Sequence, residues 1–240
     1  MTAPSVSLRG SVILGGAELF SDLALDLPAA RWTCLLGPSG VGKSTVLRLI
    51  AGLTVEGTFD GVIEAGDGQP LPDRIAYMAQ SDLLLPWLDV TGNVCLGARL
   101  RGKAPDHDRA RDLIDRVGLS VHASKRPAQL SGGMRQRVAL ARTLMEDRPV
   151  ALLDEPFSAL DARTRAEMQE LAFELLSSRT VLLVTHDPAE AVRMGSRIVL
   201  MSRTGATEVA VPPAPPIRAN DDPSVLAAQA QLLTRMREAA

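Results

Sequence analysis

Aromatic side chains are scarce in this 240-residue chain, which has four Phe, two Trp and one Tyr. Stacking platforms for single-stranded nucleic acid need such rings. Net charge is also missing: 26 Lys and Arg against 28 Asp and Glu leave a formal −2. So even a balance gives no long-range attraction to a polyanion or an anionic bilayer, and no nucleic-acid partner is expected. Cysteine is limited to Cys34 and Cys95, which lack any metal-ligand spacing. Cys34 lies in an apolar run and reads as a small core residue, and nothing asks for an oxidising compartment. No window reaches the roughly 18 consecutive apolar residues of a spanning helix. The first ten residues lack the apolar stretch of a signal peptide. The expectation is a soluble, cytoplasmic chain that depends on other chains for any membrane part.

What is present is an ordinary globular balance, 46% hydrophobic and 22% charged. It excludes wholesale disorder and allows one large domain or a core with an insertion. Short apolar stretches at Val12–Leu14, Leu23–Leu27 and Trp32–Leu36 predict strands, and Thr45–Leu53 predicts a helix. Thr58–Glu64 and Arg74–Met78 read as further strands. From Asp89 to Glu146 the period is helical, clearest at Asp106–Val117 and Arg135–Met145. Strand and helix then alternate again: Val150–Leu153, Thr164–Leu176, Val181–Thr185, Pro188–Met194 and a final strand Arg197–Met201. A βα core interrupted by a helical insertion is the simplest summary. Four prolines within Val211–Pro216 predict an extended linker. A short helix follows at Ser224–Glu238, with Val225, Leu226, Leu232, Leu233 and Met236 available to dock.

Between the strand Trp32–Leu36 and the first helix stands Gly37-Pro38-Ser39-Gly40-Val41-Gly42-Lys43-Ser44, which fits G-x-x-x-x-G-K-[ST]. Its glycines let the backbone curl until successive amides point at phosphate oxygens, and the following helix adds positive potential. Lys43 is placed to reach the β- and γ-phosphates and Ser44 to ligate Mg²⁺. Alone, the loop says only that a nucleoside triphosphate binds, as in kinases, GTPases and motor ATPases.

Val150-Ala151-Leu152-Leu153 ends in two carboxylates, Asp154 and Glu155. At a strand terminus both can face a crevice, Asp154 to hold Mg²⁺ and Glu155 as general base toward water. Further along, Leu130-Ser131-Gly132-Gly133-Met134-Arg135-Gln136-Arg137 opens a helix. Ser131 is a good N-cap, and Gly132 and Gly133 offer backbone amides at a second phosphate-binding helix start. One triphosphate has little use for two cradles in one subunit. A dimer resolves this, each signature capping the γ-phosphate held by the opposite loop.

With these motifs the chain resembles the ATP-binding subunit of an ABC transporter, over almost its whole length. The resemblance implies a P-loop NTPase (RecA-like) α/β core with an antiparallel β subdomain and an inserted α-helical subdomain. The ATP-binding domain would be residues 1–210, its helical part about 86–146, followed by the linker and helix at 211–240. It implies that Gln80 senses Mg²⁺ and the attacking water. Ser158-Ala159-Leu160-Asp161 would lie across a dimer interface, and His186 would contact the γ-phosphate. Glu155, His186 and Gln80 then form the catalytic set. Gly37 to Ser44, Thr45, Ser131, Gly132, Gly133 and Asp161 contact ATP, and Ser44, Gln80 and Asp154 serve Mg²⁺. The implied cycle closes two cassettes on two ATP molecules and reopens them after hydrolysis. The implied partners are a second copy, transmembrane permease subunits and a solute-binding protein, with the chain peripheral on the cytoplasmic face of the inner membrane.

Two features depart from or refine that pattern. The family's adenine-stacking aromatic falls near Leu14, with Phe20 the nearest ring. An aliphatic cover lacks a stacking contribution on the order of 0.5–1.5 kcal/mol, so weak discrimination between ATP and GTP is expected. Tyr77-Met78-Ala79-Gln80-Ser81-Asp82-Leu83-Leu84-Leu85-Pro86-Trp87 resembles the nitrate/sulfonate/taurine importer branch, within it most nearly the hydroxymethylpyrimidine (thiamin precursor) group. Nitrate, taurine and alkanesulfonate are the alternative cargoes. The Leu/Trp segment is either a docking surface for a membrane partner or packing onto the helical part. Residues 97–126 hold eight Lys or Arg against four Asp, a solvated surface or one facing the membrane. A soluble non-transport ABC ATPase would carry long coiled coils or a second cassette. A nucleotide kinase would not need Leu130–Gly133 or His186.

Overall fold

The fold is described from a computed structural model covering residues 2–202 and 205–238. The chain divides into two compact units. The first contains the chain up to Ile75, Pro149–Asp154 and the chain from Ser177 onward. The second contains Ala76–Arg148 and Glu155–Leu176.

The first unit opens with a hairpin, β1 (Val6–Leu14) and β2 (Ala17–Leu27), completed by β4 (Thr58–Ala65) on the far side of β1. Both pairings are antiparallel. Along β2, Phe20, Leu23, Leu25 and Leu27 are buried, while Asp22, Ala24 and Asp26 are exposed, as a sheet with one wet face requires. Between the hairpin and β4 come β3 (Trp32–Leu36) and α1 (Lys43–Ile50). β3 belongs to a second sheet with β6 (Val150–Asp154), β7 (Thr180–Val184), β8 (Arg197–Ser202) and β9 (Gly205–Val209), ordered β6-β7-β3-β8-β9. β6, β7 and β3 are buried at every residue. That is why they read as continuous apolar runs, since parallel strands are covered on both faces. α1 packs on β6 and β7, and α7 (Pro188–Met194) on β3.

Arg197–Met201 is not the final strand. β9 follows it, antiparallel to β8, and its burial is confined mainly to Val209. A polar edge strand carries little hydrophobic signal, so the sequence reading missed it. The chain from Val211 packs on the first unit. Arg218 is 4% exposed and donates to the carbonyls of Val192 (2.6 Å), Gly195 (2.8 Å), Ala214 (2.7 Å) and Pro212 (3.1 Å). Two of those carbonyls close α7, whose last acceptors would otherwise lack partners. α8 (Pro223–Glu238) lies against α7. It buries Val225 and Leu232, while Leu226 and Leu233, expected to be available for docking too, stay exposed.

The second unit is entered along β5 (Ile75–Met78) and is otherwise helical: α2 (Val90–Val94), α3 (Leu96–Leu100), α4 (His107–Arg116), α5 (Gly132–Met145) and α6 (Ala162–Leu175). Residues 86–146 fall wholly inside it. α2 and α4 pack on α5 through Val94, Leu113, Ile114, Val138 and Leu140, all buried. Aspartates start three of its helices. Asp89, Asp106 and Asp161 accept from the amides of Gly92, Arg109 and Thr164, as N-caps do. Fully buried Asn93 accepts from the Leu85 amide and donates to the Leu85, Leu88 and Asp89 carbonyls, pinning the segment before α2.

Candidate active site

In the first unit three parallel strands end side by side. Leu35 of β3 pairs with Val184 of β7, which pairs in turn with Asp154 of β6. Just past this line come the loop beginning at Gly37 and, two residues after the end of β7, His186. Ligand chemistry in parallel α/β sheets collects at such strand ends.

The loop has the backbone its glycines were expected to supply. Gly37, Gly40 and Gly42 all have positive φ, and a Cβ at Gly37 would lie 2.4 Å from the Met201 carbonyl oxygen. Lys43 is the first residue of α1, 8% exposed, and its Nζ donates to the carbonyls of Gly37 (2.7 Å) and Pro38 (2.9 Å). The ammonium is thus enclosed by the loop itself. Ser39 and Gly40 are exposed, while Pro38, Gly42, Ser44 and Thr45 are half-buried, and Val41 is anchored in the core. An exposed loop over a buried lysine at the start of an eight-residue helix is a cradle for an anion.

Asp154 is 2% exposed. α1, which carries Ser44, packs on β6, which ends in this carboxylate, and a hydroxyl and a carboxylate are hard oxygen donors of the kind that could hold Mg²⁺. Among the described residues no group of three His, Cys, Asp or Glu could hold a metal ion alone. His186 is exposed, and its turn is fixed from both sides. Thr185 Oγ1 donates to Glu190 (2.7 Å) and accepts from the Asp187 amide, and Asp187 caps α7 through the Ala189 amide.

The second unit brings Gln80 and Glu155 together: Gln80 Nε2 donates to Glu155 Oε2 at 3.4 Å. Glu155 has φ 48°, a left-handed conformation that costs a non-glycine residue on the order of 1–3 kcal/mol. Ser131 caps α5 by accepting from the Met134 amide at 3.2 Å, and Gly132 is exposed beside it. Gly133 packs closely, since a Cβ there would stand 3.0 Å from the Ala159 carbonyl oxygen. Asp161 Oδ1 accepts from the Thr164 amide at 3.0 Å. Backbone and side-chain hydrogen bonds from Thr164 hold this carboxyl below its usual range. Leu83 and Trp87, in the segment after Gln80, are 62% and 66% exposed.

Sequence reasoning gave no role to Gln136, Arg142 or the pair Arg135–Asp82. Gln136 is 6% exposed and binds the Glu155–Ala159 turn, and Arg142 and Arg135 hold Asp82 and Leu83. A polar residue buried for its hydrogen bonds leaves no periodic trace. The one available signal was a Gln on the buried face of α5.

A family model described as ABC transporter matches residues 20–158, more than half of the chain. The chain belongs to the ABC transporter family. An uncharacterized ABC transporter ATP-binding protein of Haemophilus influenzae is 49% identical over 193 residues, 80% of this chain and 79% of that protein. The aliphatic sulfonates import ATP-binding protein SsuB 1 of Rhodococcus jostii is 41% identical, covering 98% of this chain and 97% of that one. Among solved structures, a dimeric post-hydrolysis state of the ATP-binding cassette MJ0796 bound to ADP and Pi superposes with a TM-score of 0.75. It is 28% identical and covers 89% of this chain and 99% of that one. This ABC cassette is an ATP hydrolase coupled to transmembrane transport, with the P-loop α/β fold of its family. No helix among its described residues is long and apolar enough to cross a membrane.

Proposed function

We propose that the chain is the ATP-hydrolysing subunit of an importer for aliphatic sulfonates, working as a two-cassette sandwich on the cytoplasmic face of the membrane. The observation that carries the catalytic part is the alignment of Leu35, Val184 and Asp154, which sets the phosphate loop, His186 and the acidic strand end at one edge. Lys43 would draw the β- and γ-phosphates into the loop as their oxygens replace the Gly37 and Pro38 carbonyls. Ser44, Asp154 and Gln80 would hold Mg²⁺, which when bound neutralises charge on the phosphate oxygens. Glu155 takes the proton of the attacking water, Gln80 orients that water, and His186 hydrogen-bonds the γ-phosphate. Ser131, Gly132, Gly133 and Asp161 would complete the opposite site in the dimer, an arrangement supported by the dimeric post-hydrolysis structure of the related cassette.

The exposed Leu83 and Trp87 offer an apolar surface to permease subunits. A solute-binding protein would deliver the cargo to them. The sequence reading placed hydroxymethylpyrimidine first, but the relatives favour alkanesulfonate. Full-length likeness to a sulfonate import protein supports it.

The test uses Glu155→Gln. The purified variant should lose at least about 100-fold in ATPase rate yet bind MgATP and elute as a dimer. A persistent monomer would sink the sandwich, and a wild-type rate would remove Glu155 as base. In the native host the same substitution should abolish uptake of alkanesulfonate while uptake of taurine, nitrate and pyrimidine precursor continues. Loss of a different solute would reassign the cargo.

A further inference from the structure

Gln80 and Glu155 lie 75 positions apart in sequence, and each sits beside an unfavourable backbone. Glu155 itself has φ 48°, and Leu83, three residues after Gln80, has φ 46°. Left-handed residues persist only where their surroundings over-determine them. For both, the determining groups are on α5.

On one side the Gln136 amide binds the Glu155 turn. Its Nε2 donates to the Glu155 carbonyl at 2.9 Å and to Ser158 Oγ at 3.2 Å, and its Oε1 accepts from the Ala159 amide at 2.8 Å. On the other side Arg142 donates to the carbonyls of Leu83 (2.8 Å) and Asp82 (2.6 Å). Arg135 Nε meets Asp82 Oδ2 at 2.9 Å. Burial lowers the Arg142 pKa, opposed by Asp82 and Glu146, so this guanidinium is partly withdrawn from water while its fork grips backbone.

We propose that α5 is the common mount of the catalytic pair, with Gln136 and Arg142 as positioning residues that set the Gln80–Glu155 geometry. The helix that opens with the Ser131–Gly133 signature thereby holds the segments of both groups assigned to the attacking water. This rests on the assignment of Gln80 and Glu155 made above.

The deciding substitution is Gln136→Glu, which keeps the shape and the acceptor for Ala159 but turns the donor facing the Glu155 carbonyl into an acceptor. Misplacement of a catalytic group by about 1 Å costs roughly 100-fold, so kcat should fall by that order. KM and affinity for MgATP should stay within about twofold, because ground-state binding is left alone. Combined with Glu155→Gln, Gln136→Glu should cause no further loss in single-turnover rate, since residues acting through one group are non-additive. A purely structural role predicts weakened nucleotide affinity and losses that multiply, and either result overturns the proposal. So does a Gln136→Glu protein with wild-type kcat. If that variant does not fold, Arg142→Lys decides, since it keeps the charge and loses the fork. About tenfold lower kcat at unchanged KM is expected there, and unchanged kcat overturns the proposal. Wild-type ATPase in Glu155→Gln would instead remove the underlying reading. An inactive Glu155→Gln beside a fully active Gln136→Glu removes only the positioning role.

Discussion

Leu14 closes β1, 38% exposed beside Ile13 at 51%, at the tip of the hairpin. The same hairpin borders the phosphate loop further along β2: a Cβ on Gly42 would lie 2.9 Å from the Phe20 ring and 3.1 Å from Leu19. An aliphatic surface here would cover a purine without distinguishing its edges, and Phe20 is fully buried, so its ring is not free to stack. GTP should accordingly be hydrolysed with kcat/KM within about tenfold of ATP, since no oriented hydrogen bond rejects it. Leu14→Tyr should lower KM for both nucleotides by about two- to twelvefold, the equivalent of ~0.5–1.5 kcal/mol of stacking. Steady-state kinetics on both triphosphates checks this, and a GTP kcat/KM more than about tenfold below that for ATP would require base recognition from elsewhere. The phosphate loop was legible because its chemistry needs specific residues in unbroken order. Gln136 was not, because its partners are backbone atoms of a distant turn and any sequence can supply those.

Among the helices, starts were easier to read than ends. Ser131 caps α5 as its sequence suggested, and the cap is a local rule. Asp161 caps α6, although the sequence reading valued it only for the dimer interface and for ATP. The capping bond depresses its pKa below 3.8, which fixes the sign of a pH effect. The stabilisation is fully present above the ordinary carboxylate pKa and is lost as pH falls through the lower folded value. Asp161→Asn keeps a capping oxygen without the titration. Its melting temperature should therefore fall less steeply than that of the wild type as pH drops below about 4, in thermal scans across that range. Equal slopes would mean that the cap contributes no pH dependence. Strands β3, β6 and β7 were legible because burial on both faces writes a continuous apolar run. β9 was not, since an edge strand is held by backbone bonds to β8 and needs few apolar side chains.

At the scale of the whole chain, the tail is the part least visible in sequence. Four prolines suggested a spacer, yet the segment is held to the first unit by a buried guanidinium that touches four carbonyls. Arg218→Ala would strand those carbonyls and should destabilise the protein by on the order of 3 kcal/mol. Urea denaturation measures this directly, and limited proteolysis should show earlier cleavage after Val211. A loss below about 0.5 kcal/mol would make the tail an independent appendage. The anchor has a consequence for inheritance. α7 has seven residues, so about 10 Å separates its two ends. One end is the Asp187 cap beside His186, and the other offers the Val192 and Gly195 carbonyls to Arg218. A lineage that shortened or exchanged this C-terminus would have to re-cap α7 at the same time, or let the turn that carries His186 drift. The segment from Pro212 to Arg218 is therefore not free to diverge at the pace of a surface tail.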